Sequence, residues 1–401
     1  MFSLSIPLLS YILLAAAVVG VIIARVYGMR PYIRAARFQN PELPADPGSC
    51  PKASVIVHAR GGDEEAVMSA VESIKRQDYP DFEVIVVCDA SLAQANYISD
   101  ELSSLYSDVY VTFLQPGSHN LSRRKLATTI GVKAAKGDVI VTTVANIRIP
   151  SDKWLSSIMA PFCGEAGRHT DVSLGLSCMD FRELAGALKW YRQFDSVLSN
   201  ALWIGYAADG HPYRGDGYNL AFRKSVFFAH KGYAKTINLH YGDDDLFISE
   251  IANGANTKVV LDSDSIVVTC WGESANRVWS LRKARYAFTS RWLERAPFTR
   301  ACIMKCLQWI IPACAVVGAV AGLPGLVPAM AALTILLYFW GMEIYHYRRL
   351  APRMHAVRLW WAVVPFWFWK LIGDFLFNCD HHGSRKKNFT WQRSRKLRLR
   401  I

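Results

Sequence analysis

Residues 126–144 read LATTIGVKAAKGDVIVTTV. The first ten, 126–135, favour a helix; Gly137 ends it, and 138–144 (DVIVTTV) is a β-branched run of the kind that fills a buried strand. The same alternation recurs upstream. Residues 53–59 (ASVIVHA) form a short strand-like run, and 64–77 have helical periodicity, with Ala66, Val67, Ala70, Val71 and Ile74 on one face. Tyr79-Pro80-Asp81 makes a turn, and 82–87 (FEVIVV) is a further strand ending at Cys88-Asp89-Ala90-Ser91. Strands alternating with helices predict an α/β domain with a mainly parallel sheet.

The flanks differ from this core. Of the 401 residues 52% are hydrophobic, and the mean hydropathy is +0.13. Residues 3–26 are almost wholly apolar, long enough to cross a bilayer. Arg25, Arg30, Arg34 and Arg37 follow, which sets the C-terminal end of that helix in the cytoplasm and argues against a cleaved signal peptide. Residues 302–322 and 325–342 read as a transmembrane hairpin turning at Gly-Leu-Pro-Gly, 322–325. Residues 359–379 are aromatic-rich but contain Lys370 and Asp374, which are costly in mid-bilayer, and basic clusters flank both sides; an interfacial or re-entrant helix fits better than a crossing one. The expected organisation is a transmembrane helix at 1–28, a basic and Pro-rich linker at 29–51, a cytoplasmic domain at 52–295, a transmembrane hairpin at 300–346, and an interfacial segment with a basic tail at 347–401. This is a multi-pass inner-membrane protein in contact with membrane lipids. Too few apolar segments exist for a transporter bundle.

The formal charge is +13. The excess gathers at the edges of apolar segments and in the tail, the positive-inside pattern, and no nucleic-acid-binding module is present. The nine cysteines are odd in number and lack a CxxC, so they read as free thiols in a reducing compartment. In the cytoplasm the sequons at Asn120 and Asn388 carry no meaning.

Four stretches carry chemistry. Asp89 follows a strand, at the sheet edge where open α/β folds bind ligands; an ordinary strand-end turn has the same composition. Ser122-Arg123-Arg124-Lys125 opens a helix, where basic groups and free N–H groups suit phosphate; a solvated basic loop reads alike. Gly242-Asp243-Asp244-Asp245-Leu246-Phe247 sets three carboxylates side by side, which calls for a cation, a helix N-terminus or a catalytic base. Residues 277–292 (RVWSLRKARYAFTSRW) offer Arg282, Lys283 and Arg285 to a diphosphate and Trp279, Tyr286 and Trp292 to sugar rings, or else a face to anionic lipid.

The order of these pieces, with KLATTIGVKAAKGDVIVTT at 125–143, PSDKWL at 150–155, GYNLAFRKSVF at 217–227, GDDDLF and RKARY, resembles glycosyltransferase family 2 in a membrane-anchored bacterial form. The resemblance covers roughly residues 52–292. It implies the GT-A fold, a Rossmann-like nucleotide-sugar domain, and inverting transfer of a sugar from a nucleoside-diphosphate sugar to a lipid-linked or glycan acceptor. It implies donor contacts from Asp89, Lys125, Asn146, Arg282 and Arg285, and acceptor contacts from Asn219, Tyr286 and Trp279. The base is Asp243 or Asp244, according to whether alignment starts from Asp245-Leu246 or from Gly242, with Asp243 preferred. One departure stands out. Where the family carries Asp-x-Asp for Mg²⁺ or Mn²⁺, this chain has Val144-Ala145-Asn146, which lacks the carboxylates a hard cation needs. Three readings stay open: arginines and lysines such as Lys125, Arg148, Arg282 and Arg285 replace the cation; other acids, Asp245 among them, hold it; or catalysis is lost and the chain is an inactive partner of a polysaccharide synthesis or export complex.

Overall fold

The computed structural model describes residues 6–40, 49–60, 64–114, 121–186, 188–269 and 275–381. Residues 41–48 of the linker, Asn120 and the basic tail with Asn388 lie outside them.

Among the described residues ten strands form two sheets: β1 Ala53–Arg60, β2 Phe82–Asp89, β3 Val109–Phe113, β4 Val139–Val144, β5 Ile147–Arg148, β6 Val172–Leu174, β7 Ser177–Met179, β8 Leu220–Arg223, β9 Thr257–Val259 and β10 Val267–Thr269. The seven-stranded sheet runs β3-β2-β1-β4-β8-β6-β9. Only β8 opposes its neighbours; every other pairing is parallel. Val55 stands opposite Val84 on one side and Val141 on the other. Both faces of these strands are buried, which is why they read as continuous apolar runs rather than alternating ones. The helix Glu64–Lys75 covers one face with Val67, Ala70, Val71 and Ile74, and Arg123–Ala134 packs Ala127 and Val132 on the other. A second sheet, β5-β10-β7, continues from the end of β4.

Three helices, Pro7–Gly28, Ala296–Ala321 and Leu326–Arg353, are long and apolar enough to cross a membrane. The shortest has 22 residues, roughly 33 Å at 1.5 Å per residue against about 30 Å of hydrocarbon. The first packs closely on the second: a Cβ on Gly28 would overlap Met304 Sδ at 1.8 Å, and Ser10 Oγ donates to Gly318 O at 2.6 Å. Small residues at such contacts let backbones approach, the usual basis of helix association in lipid.

The helix Val363–His381 is not among these spans. Its Lys370 and Asp374 turn inward and join a five-charge cluster drawn from four helices. Asp195, on the helix Lys189–Ala208, meets Lys283 at 3.1 Å and also Lys370. Asp374 meets Lys305 at 2.8 Å and Lys370 at 3.4 Å, and also Lys283. Trp360, Trp361, Trp369 and Phe375 remain exposed.

One sequence expectation is corrected. Cys50 and Cys163 are joined by a disulfide with a Cα–Cα separation of 4.4 Å, so not every cysteine is a free thiol. The bond ties the entry to β1 to the end of the 3₁₀ turn Ala160–Phe162, two points 113 residues apart that no spacing motif connects.

Candidate active site

The acid cluster sits at the start of the helix Asp245–Ile251, beneath the helix Ala275–Thr289. On that upper helix Arg282, Arg285, Tyr286 and Thr289 share one face by their spacing of three and four. Trp279 and Lys283, also four apart, lie on the adjoining face.

Each of the three acids has its own environment. Asp243 takes Arg124 Nε at 2.5 Å and an Arg285 nitrogen at 3.4 Å. Burial pushes its pKa up, but Arg124, Arg285 and Lys125 more than offset this, and the carboxyl lies below its ordinary range. Asp244 accepts the Asp245 N–H at 2.8 Å and the Gly217 N–H at 3.2 Å, and meets Arg285 at 3.2 Å. The fit at Gly217 is close, since a Cβ there would lie 3.1 Å from Asp244 Cβ and 3.2 Å from Arg124. Asp245 pairs with Arg214 Nε at 3.0 Å and accepts from the Thr289 hydroxyl at 2.6 Å. Burial raises its pKa to about 7, Asp244 adding to the rise while Arg214 and Thr289 oppose it.

Tyr218 is the hub of the basic side. The guanidinium carbons of Arg124, Arg285 and Arg282 lie 4.8, 5.5 and 5.9 Å from its ring centre. Its hydroxyl accepts from Arg285 at 3.1 Å. Arg282 also donates to Ser177 O at 3.0 Å and stands 3.6 Å from Asp216, whose carboxylate is fixed by the Ser177 N–H and hydroxyl at 2.8 and 2.6 Å. Asp89, at the end of β2, is paired with Arg123 at 2.6 Å. Asn146 is half-buried just past β4.

Behind Asp243 lies a cavity of about 10 Å³ lined by His58, Arg124, Thr128 and Tyr233. Burial, then the Arg124 charge, pulls the His58 pKa down to about 3, so the imidazole stays neutral there. Its Nε2 meets Thr128 Oγ1 at 3.3 Å, while Nδ1 has no partner among the described residues.

Several expected site residues face elsewhere. Lys125 is fully buried and donates to the carbonyls of Thr236, Leu239 and Tyr241 at 2.7, 3.2 and 3.0 Å. It fastens the loop leading into the acid cluster. Burial lowers its pKa to about 8. The Asn219 amide donates to Leu176 O and Ser265 O and accepts from Trp154 Nε1 at 3.0 Å, so it is committed to the core. Trp279 donates to Asp195 at 2.8 Å and packs on Tyr191 and Phe377, away from the acids. Tyr286 stays at the site, with the Arg214 guanidinium 3.8 Å from its ring centre. The reading of single residues missed Arg214 and Asp216. The signal was present in Arg214-Gly215-Asp216-Gly217, where charges between glycines mark a close-packed turn.

A divalent cation needs carboxylate oxygens, and Val144-Ala145-Asn146, past the central strand, offers none. The acids that are present already face arginines: Asp89 with Arg123, Asp216 with Arg282, Asp243 with Arg124, Asp244 with Arg285 and Asp245 with Arg214. Among the described residues no three His, Cys, Asp or Glu side chains converge to hold a metal. This set does not fit a divalent cation.

No curated protein matches the chain significantly. Among solved structures, a mannosyltransferase from Pyrobaculum calidifontis, in complex with GDP-Man and Mn2+, superposes with a TM-score of 0.51 at 18% identity, over 90% of this chain and 96% of that one. At that identity the likeness establishes the GT-A-like fold. The family model for glycosyl transferase family 21 matches residues 12–395. The family 2 resemblance is thereby corrected to a related family of the same GT-A superfamily. The chain belongs to glycosyl transferase family 21.

Proposed function

We propose that this chain is an inverting glycosyltransferase that moves a sugar from a nucleoside-diphosphate sugar to a lipid-linked or glycan acceptor at the cytoplasmic face of the inner membrane. The observation that carries this reading is the meeting of carboxylates and arginines at the sheet edge, directly beneath a helix that also contacts the membrane-side segment. In the reaction the acceptor oxygen forms a new bond to the anomeric carbon. The bond from that carbon to the diphosphate oxygen breaks, and its electron pair leaves with the diphosphate. The acceptor hydroxyl proton passes to a carboxylate.

By proton affinity alone Asp245, buried against Arg214 and Thr289, suits that last role better than Asp243. A base works best when its pKa lies near the working pH. Asp243 is held below the ordinary range by two guanidiniums, whereas Asp245 is raised to about 7. Asp243 and Asp244 then position Arg124, Arg285 and the Gly217 loop. Asp89 and the helix start at Arg123 lie where the nucleoside of a donor would sit. Val144-Ala145-Asn146 favours a second reading, an inactive partner in polysaccharide synthesis or export.

The test is transfer by the full chain in nanodiscs, with nucleotide binding measured alongside. Transfer abolished by Asp245→Asn with nucleotide binding retained supports the reading. Nucleotide binding without any transfer by the wild type favours the inactive partner.

A further inference from the structure

The basic side of the site is built for an anion. Three guanidiniums crowd one tyrosine ring, at 4.8 to 5.9 Å from its centre. Like charges that close repel unless anions sit among them. Asp216, Asp243 and Asp244 supply those anions, one facing each arginine. A divalent cation would have to displace a guanidinium from one of these carboxylates, and past β4 it would meet two apolar side chains and one neutral amide. A diphosphate, by contrast, can accept from planar guanidinium forks, for which phosphate oxygens are good partners.

We propose that Arg124, Arg282 and Arg285, gathered around Tyr218, hold the donor diphosphate and neutralise it as it leaves, in place of a divalent cation. This rests on the nucleotide-sugar reading above. Arg123, from the same helix start as Arg124, extends the basic surface toward Asp89. When the diphosphate recruits Arg285, that arginine loosens its hold on Asp243 and Asp244.

The experiment is equilibrium binding of UDP, GDP and CDP to the full chain in nanodiscs, in excess EDTA and in saturating MnCl2. One diphosphate should bind in EDTA with a Kd within about threefold of its value in Mn²⁺. Arg285→Gln should weaken that binding by at least about tenfold, and Arg285→Lys should recover part of the loss. Val144→Asp with Asn146→Asp should weaken binding in EDTA about tenfold and make it respond to Mn²⁺. Binding that appears only with Mn²⁺ overturns this inference and leaves the transferase reading standing. An unchanged Kd in Arg285→Gln, or in the double variant in EDTA, also overturns it. No binding of any diphosphate in either condition overturns both readings.

Discussion

If Asp245 takes the acceptor proton, the pH profile of transfer follows its titration. With a pKa of about 7, about half of the molecules carry the ionised base at pH 7 and about one in ten at pH 6. Transfer per bound donor should fall about fivefold from pH 7 to 6, approach a tenfold fall per unit below that, and level off above 8. The sign follows from burial, which raises this acid by disfavouring its charged form, so ionisation comes later than in a free aspartate. Arg214, 3.0 Å away, opposes that shift. Arg214→Gln should therefore carry the acid limb to higher pH, whereas Asp243→Asn, which leaves Arg214 in place, should keep the limb near 7. The assay is single-turnover transfer in nanodiscs from pH 5 to 9, with nucleotide binding measured at each pH. A limb at or below pH 5 refutes the assignment and returns the base to Asp243, the carboxyl held below its ordinary range. A limb unmoved by Arg214→Gln also refutes it.

Other outcomes follow from the same geometry. Lys125→Met strands three buried carbonyls, at about 1–3 kcal/mol for each left unpaired, so thermal unfolding should drop by several degrees. Asp374→Ala leaves Lys283, Lys305 and Lys370 with Asp195 alone; breaking such a buried pairing costs about 3–5 kcal/mol, and a stability assay in nanodiscs should show it while Asp374→Glu recovers most of the loss. Asp89→Ala should abolish nucleotide binding with little change in unfolding temperature, because its partner Arg123 keeps the Leu114 carbonyl as an acceptor.

The central strands were legible because β1, β2 and β4 are buried on both faces and carry unbroken β-branched runs. The strands from β5 to β10 have two to four residues each, too short to show any period. At the site, charge type was legible and direction was not. Asp243, Asp244, Asp245, Arg282 and Arg285 do converge, but a lysine at a helix start looks alike whether it faces a phosphate or, as Lys125 does, three carbonyls. Asn219 follows a glycine and an aromatic, a pattern shared by ligand loops and by amides tied into a core. Trp279 is ambiguous for a similar reason: a tryptophan four residues from Lys283 suits a sugar or, as its packing on Tyr191 and Phe377 has it, a neighbouring helix. The Cys50–Cys163 pairing depends on where the chain returns after 113 residues, and no local pattern encodes that.

The helix Ala275–Thr289 works as a single beam with two loaded sides. Arg282 and Arg285 reach the acids, while Lys283, between them in sequence, is lashed to Asp195 and Asp374 together with the membrane-side helices. The anchor is therefore not modular. A chain cut before residue 296 would lose Lys305, Lys370 and Asp374 at once, leaving Lys283 with Asp195 alone and the beam with no backing. Exchanging these helices for a foreign anchor would keep the protein on the membrane yet let its arginines drift, so solubility and alignment cannot be engineered separately.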